Sequence, residues 1–157
     1  VDINNDVIAK LAEHENIIGI KDASNDLTRP KVLKNLITHK HFYQLSGEDS
    51  TQLHFLSEGG DGVISVTANI APKLIAQLHE FWTEKRYQDS IEINNLISEL
   101  NRILFLEANP CPVKFAAYKM GICNNEIRLP LTCVTNTTQN LIIKMIEKLG
   151  LTFSKLE

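Results

Sequence analysis

Three short apolar runs constrain this chain most: Ile17-Ile18-Gly19-Ile20-Lys21, Phe42-Tyr43-Gln44-Leu45-Ser46 and Gly62-Val63-Ile64-Ser65-Val66. Each is the length of a strand and too short for an independent helix. The segments between them carry apolar residues at helical spacing. Asn5 or Asp6 can cap a first helix, with Val7, Ile8 and Leu11 on its apolar side, running to about Glu15. Asp26 or Thr28 opens a second, with Pro30 in its first turn and Val32, Leu33, Leu36 and Ile37 on one face. Glu48-Asp49-Ser50 starts a third, where acids suit the positive end of the helix dipole; Leu53, Phe55 and Leu56 face inward, and Gly59-Gly60 stops it. After the third run, Thr67-Ala68-Asn69 reads as a loop. Pro72 opens a fourth helix bearing Leu74, Ile75, Leu78 and Phe81. Helix and strand alternate, which implies parallel strands joined by right-handed crossovers.

Beyond about residue 85 the strands stop. Ile91, Leu96, Ile97, Leu100 and Leu104 mark a long helix. Pro112 opens a shorter one through Val113, Phe115 and Ala116, ended by Gly121. Arg128-Leu129-Pro130-Leu131 is extended. Thr135 caps a last helix with Leu141, Ile142, Met145, Ile146 and Leu149, and Gly150 stops it. The reading divides the chain into an α/β part, 1–85, and a helical part, 86–157. Three parallel strands leave two open edges and cannot close a barrel, which needs eight strands and about 250 residues. A partner segment is therefore expected to be missing, in preference to an open three-layer sheet. With Val1 rather than methionine at its start, the chain is expected to be a piece of something longer, or one whose start is missing.

Lys21 is the residue with chemical promise. It ends a buried-looking run, at the end of a parallel strand where active sites collect. An ammonium held against apolar walls is penalised by desolvation, which favours the neutral, nucleophilic amine and Schiff-base chemistry. The alternative is a lysine that snorkels from the strand end into water.

The rest of the composition narrows the field. With 157 residues, 22% charged and a net charge of -3, the chain lacks the basic face that nucleic acid requires. No apolar run is long enough to span a bilayer. The first residues are acidic and lack the apolar segment of a secretory signal, so none is expected. Cys111, Cys123 and Cys133 are odd in number and lack metal-type spacing, which points to a reducing, cytoplasmic setting. His14, His39, His41, His54 and His79 show no metal-ligand spacing. Lys114 stands early in its helix, against the dipole, and implies a specific contact there.

Five segments in order carry a resemblance: Ile17-Ile18-Gly19-Ile20-Lys21-Asp22-Ala23, Leu45-Ser46-Gly47-Glu48-Asp49, Gly62-Val63-Ile64-Ser65-Val66-Thr67-Ala68-Asn69, Glu107-Ala108-Asn109-Pro110-Cys111-Pro112-Val113-Lys114 and Arg128-Leu129-Pro130-Leu131-Thr132. Together they resemble the dihydrodipicolinate synthase family, as far as about Leu151. The Asn-Pro-x-Pro-Val-Lys and Arg-Leu-Pro-x-Thr stretches favour it over the related N-acetylneuraminate lyases and keto-sugar-acid aldolases. The resemblance implies the C-terminal half of a (β/α)8 TIM barrel, strands six to eight, plus a C-terminal helical extension. It gives Lys21 the position of the lysine that forms the Schiff base with pyruvate. Ile64 takes the position whose main-chain carbonyl contacts pyruvate. Gly47 takes that of a glycine where a side chain would intrude on substrate. Apart from the resemblance, Gly47 reads as an ordinary turn residue and Ile64 as core.

The implied reaction condenses pyruvate with aspartate semialdehyde on the route to diaminopimelate and lysine, with no metal or organic cofactor. The family commonly forms tetramers, so the implied partners are further copies of the chain or an N-terminal half-barrel. The family's relay tyrosine and threonine, and the arginine for the second substrate, lie N-terminal to the matching region; Tyr43, Tyr87 and Tyr118 do not take their places. Alone, the chain is expected to be inactive or nearly so. The alternatives are a non-catalytic remnant, a split-gene half that needs an N-terminal partner, and a related pyruvate aldolase such as an N-acetylneuraminate lyase. Asn25 and Asp61 depart mildly from common family choices and read as loop positions of little consequence.

Overall fold

The computed structural model describes residues 2–152 and forms two compact units, Val1–Ser65 and Val66–Glu157. In the first, α1 (Asn5–Ala12), α2 (Arg29–Leu36) and α3 (Gln52–Ser57) alternate with β1 (Gly19–Asp22), β2 (Tyr43–Ser46) and β3 (Gly62–Val63). The strands pair in parallel in the order β1-β2-β3. Lys21 stands opposite Leu45, and Leu45 opposite Gly62; Asp22 stands opposite Ser46, and Ser46 opposite Val63. The ladder continues past the strand ends. The Gly47 amide donates to the Asp22 carbonyl at 2.7 Å, and the Ile64 amide to the Ser46 carbonyl at 2.8 Å.

One side of the sheet is covered. Ile8 and Ala12 of α1, Leu33 of α2 and the following Ile37 pack with Phe42 into a core that Ile17 and Ile20 flank. Each helix buries a narrower stripe than the sequence pattern predicts: Val7, Leu11, Val32 and Leu36 are exposed. These helices cover one sheet face only, so a narrow stripe suffices. α1 ends at Ala12, earlier than the apolar spacing predicts. Its cap is Asn4, whose side chain accepts from the Val7 amide. α3 begins at Gln52, so Glu48-Asp49-Ser50 forms the turn before the helix rather than its first turn.

The second unit is helical: α4 (Pro72–Thr83), α5 (Tyr87–Ile103), α6 (Cys111–Lys119) and α7 (Asn136–Lys148), preceded by a single 3-10 turn at Thr67–Asn69. Its core gathers Leu100, Ile103 and Leu104 around α5, Phe115 and Ala116 from α6, and Ile142 and Met145 from α7. Buried polar groups are joined to partners: Ser90 Oγ donates to the Leu78 carbonyl, and Thr67 Oγ1 to Asn101 Oδ1 at 2.7 Å. Thr135 caps α7 as its sequence position predicts, its side chain accepting from the Thr138 amide. The Glu107 carboxylate accepts from the Thr135 amide and hydroxyl and clasps the preceding loop to that helix end. Hydrogen bonds from the Thr138 side chain, and from Thr135, hold Glu107 below the usual carboxylate range. Lys114 finds its contact: Nζ donates to the Glu126 carbonyl at 2.5 Å and ties the following loop to α6. Among the described residues no helix is long and apolar enough to cross a membrane.

Not every residue of the α5 apolar pattern is core. Leu100 is 0% exposed while Leu96, one turn earlier, is 47% exposed. Leu100→Ala is therefore expected to destabilise this unit by about 2–5 kcal/mol through lost burial and a cavity, and Leu96→Ala by less than about 1 kcal/mol. Urea unfolding followed by the fluorescence of Trp82, the single tryptophan, checks the pair.

Candidate active site

The register brings the three residues singled out in the sequence to one place. Side chains alternate faces along a strand. Lys21 and Ala23, Leu45 and Gly47, and Gly62 and Ile64 therefore share one face of the three strands. Asp22, Gln44 and Ser46 point to the opposite, covered face and are buried. A Cβ at Gly47 would lie 2.9 Å from Lys21 Cε and 2.8 Å from Ala23 Cβ, so the lysine stem runs directly across this glycine.

This face is not enclosed by the described residues. Lys21 is exposed, and Tyr43 and Ile64 beside it are 49% and 47% exposed. The apolar walls expected around the amine are thus not supplied here, nor is Ile64 a core side chain. Parallel sheets are ordinarily covered on both faces, and this one is covered on one. An apolar cleft of about 500 Å³ follows it from Ile17 and Ile18 past Gly19, Tyr43 and Leu45 to Lys21. A more polar cleft of about 370 Å³ adjoins the same lysine, lined by Asp2, Ile3, Ile20, Asp22, Ala23, Ser24 and Arg29.

That second cleft exposes a cluster the sequence reading missed. Arg29, at the start of α2, is buried, and three carboxylates surround it: Asp2 at 2.7 Å, Asp22 at 3.4 Å and Asp26 at 4.0 Å. Asp22 also accepts from the Ser24 amide at 2.8 Å, which sets the turn immediately after Lys21. Asn25 follows in the left-handed region at φ 63°, a conformation that asparagine tolerates better than most residues. Its place is thus a conformational requirement, not an indifferent loop position. The available signal was Arg29 opening a helix seven residues after an aspartate.

Two further acids form polar supports. Asp49 is buried and accepts from the Ser65 hydroxyl, joining the turn after β2 to the chain after β3. Asp61 carries more than a loop role: Oδ2 accepts from the Gln44 amide at 2.8 Å, and its own amide donates to the Gln44 carbonyl. It thereby fixes the start of the β2–β3 pairing. Glu48 accepts from the Ser50 amide and hydroxyl. Among the histidines, burial pushes His79 below its ordinary range. Among the described residues no three His, Cys, Asp or Glu side chains are grouped to hold a metal ion. All three cysteines are free.

Parallel strands joined by helices, with candidate residues gathered at their carboxyl ends, define an α/β protein of the kind whose chemistry sits at that end of the sheet. The chain belongs to the dihydrodipicolinate synthetase family, whose model matches residues 1–149. It is 42% identical over 151 residues to the 4-hydroxy-tetrahydrodipicolinate synthase of Gluconacetobacter diazotrophicus, covering 96% of this chain and 51% of that protein. The synthase of Buchnera aphidicola is 42% identical over 146 residues, covering 92% and 49%.

Among solved structures, the dihydrodipicolinate synthase of Aquifex aeolicus superposes with a TM-score of 0.92 at 33% identity, covering 99% of this chain and 53% of that one. The Acinetobacter baumannii enzyme, solved in complex with pyruvate, gives 0.89 at 40% identity over 96% and 52%. The chain thus spans about half the length of the relatives it matches. Its fold class is α/β, and it corresponds to the C-terminal half of a (β/α)8 barrel with a helical extension.

The Arg29 cluster yields a test. The Arg29 hydrogen bond holds the Asp2 carboxyl below its usual range, and the Thr28 hydroxyl does the same for Asp26. Because these pKa values are lower in the folded chain, their stabilisation is fully present above the ordinary carboxylate value of about 4. It is lost as pH falls through the lowered values. Arg29→Met should return the Asp2 carboxyl toward its ordinary value in an NMR titration. The same change should destabilise the fold by on the order of 3 kcal/mol, because Asp22 is left buried without its cation. Asp2→Asn, at an exposed partner, should cost less stability than Arg29→Met.

Proposed function

We propose that this chain supplies the Schiff-base lysine of a 4-hydroxy-tetrahydrodipicolinate synthase. The observation that carries the reading is the placement of Lys21 across Gly47, on the sheet face that Ile64 shares. Family membership and the names of its relatives support the same activity. Pyruvate is present in one structural neighbour, which supports a keto acid as first substrate.

On this reading, the neutral Lys21 amine attacks the keto carbon of pyruvate. The carbinolamine loses water to give an iminium ion. The iminium draws electrons from the adjacent methyl carbon, which releases a proton and becomes an enamine carbon. That carbon bonds to the aldehyde of aspartate semialdehyde, whose oxygen takes a proton. The amine of the new adduct then attacks the imine carbon, closes the ring and expels Lys21. Gly47 and the Ile64 carbonyl border the pyruvate, and no metal or organic cofactor takes part.

The open face implies the partner. A closed barrel needs eight strands. Among the described residues three are present, and two copies of this sheet would still fall short. The complement is a five-stranded N-terminal half-barrel, on the same polypeptide or a separate one. It covers Tyr43 and Ile64 and encloses the amine. The functional division then runs as a partial barrel over 1–85 and a helical region over 86–157. The completed barrel assembles as a homo-oligomer in the cytoplasm, a setting that suits three free cysteines.

Borohydride trapping tests the assignment. With pyruvate and the completing half-barrel supplied, peptide mass spectrometry should locate one reduced pyruvate adduct on Lys21, and Lys21→Arg should reduce labelling to background. An adduct on another lysine, or none, overturns the reading and favours a non-catalytic remnant. Aspartate semialdehyde should be the productive second substrate; turnover with N-acetylmannosamine instead would identify a sugar-acid lyase.

A further inference from the structure

We propose that Gly47 is a positioning residue for Lys21, its missing side chain forming the channel in which the lysine stem lies. The inference rests on the Schiff-base reading of Lys21 and assigns Gly47, beside its place bordering the substrate, a second role exerted through the amine. Glycine is often explained by backbone conformation. Three glycines here do adopt positive φ, Gly59, Gly121 and Gly150, and Gly47 is not among them. Its requirement is space.

A Cβ there would meet three groups at once: Ala23 Cβ at 2.8 Å, Lys21 Cε at 2.9 Å and the Asp22 carbonyl oxygen at 3.3 Å. These contacts differ in what they can yield. Ala23 Cβ is fixed to the backbone. The backbone cannot simply back away, because the Gly47 amide is bonded to the Asp22 carbonyl at 2.7 Å. Lys21 Cε, near the end of a flexible chain, is the group free to move. An added methyl would therefore push the terminal carbon of the lysine, and the amine it carries, off its present line. A shift of about 1 Å at a reacting atom is enough to cost about a hundredfold in rate.

The same geometry supplies a control. Ala23→Gly removes the closest rigid contact and leaves the tight one with Lys21 Cε and the looser one with the Asp22 carbonyl oxygen. In the double variant Gly47→Ala/Ala23→Gly, a purely structural role for Gly47 would be relieved, whereas a role in placing the amine would persist. The protein is studied in its native assembly, with the barrel-completing half present. Circular dichroism and melting of the double variant should match those of the natural protein, while borohydride trapping of pyruvate at Lys21 slows at least about tenfold. A trapping rate within twofold of the natural protein overturns the proposal.

A second readout stands apart from the Schiff base. Acetic anhydride labelling of Lys21, normalised to Lys31 on α2, should differ at least threefold between the double variant and the natural protein. Equal labelling overturns the positioning role even where pyruvate is not trapped at all. Absence of trapping in the natural protein, with Lys21 labelling still changed in the variant, would sink the Schiff-base reading and leave the steric one standing.

Discussion

The parallel register of three short strands is the constraint on which the rest depends. Lys21 opposite Leu45, and Leu45 opposite Gly62, puts Lys21, Gly47 and Ile64 on one face although they are far apart in sequence. Strand alternation makes the arrangement all-or-none: a slip of one residue would turn the slipped strand's set to the covered side. The chain secures that register with polar contacts at the strand ends. Asp61 holds the start of the β2–β3 pairing through both backbone groups of Gln44. Asp49 bridges the ends of β2 and β3 through Ser65, and Asp22 sets the turn after β1 through Ser24.

Burial then separates scaffold from chemistry. The covered face is packed by Ile8, Leu33, Ile37 and Phe42, with Gln44 and Ser46 buried beneath the helices. The other face carries the amine and is left open. An open apolar face beside a parallel sheet is what half of a barrel must look like, because the missing strands would provide its second cover. The relatives say the same in length: the chain matches about half of each. On the proposed reading, the exposure of Ile64 and Lys21 belongs to the half, and the completing strands would enclose the amine.

Much of this was legible in the residues. The three strands, their helices and the caps at Thr135 and Gly150 follow from apolar period and turn chemistry, and both appear where the sequence places them. Helical stripes were overcounted, since spacing cannot say how many sides of a helix find a neighbour: Leu11, Leu36 and Leu96 have the right period and remain exposed. Polar supports were the harder part. Asp61, Asp49 and the Arg29 cluster act through residues distant in sequence, so their value appears only once the strands are in register. Lys114 is intermediate. Its place against the helix dipole announced a contact, and only the fold shows that the Glu126 carbonyl provides it. The motif residues follow from their resemblance to a family, whereas the contact between Gly47 and the Lys21 stem comes from the structure alone.

A crystal structure of the completed barrel, soaked with pyruvate and reduced in place, tests the central claim most directly. The account predicts continuous density from Lys21 Nζ into the keto acid carbon skeleton, on the face bounded by Gly47 and Ile64, with the lysine stem still crossing Gly47. Density on another lysine, or a Lys21 side chain turned away from Gly47 with the keto acid bound elsewhere, would contradict it.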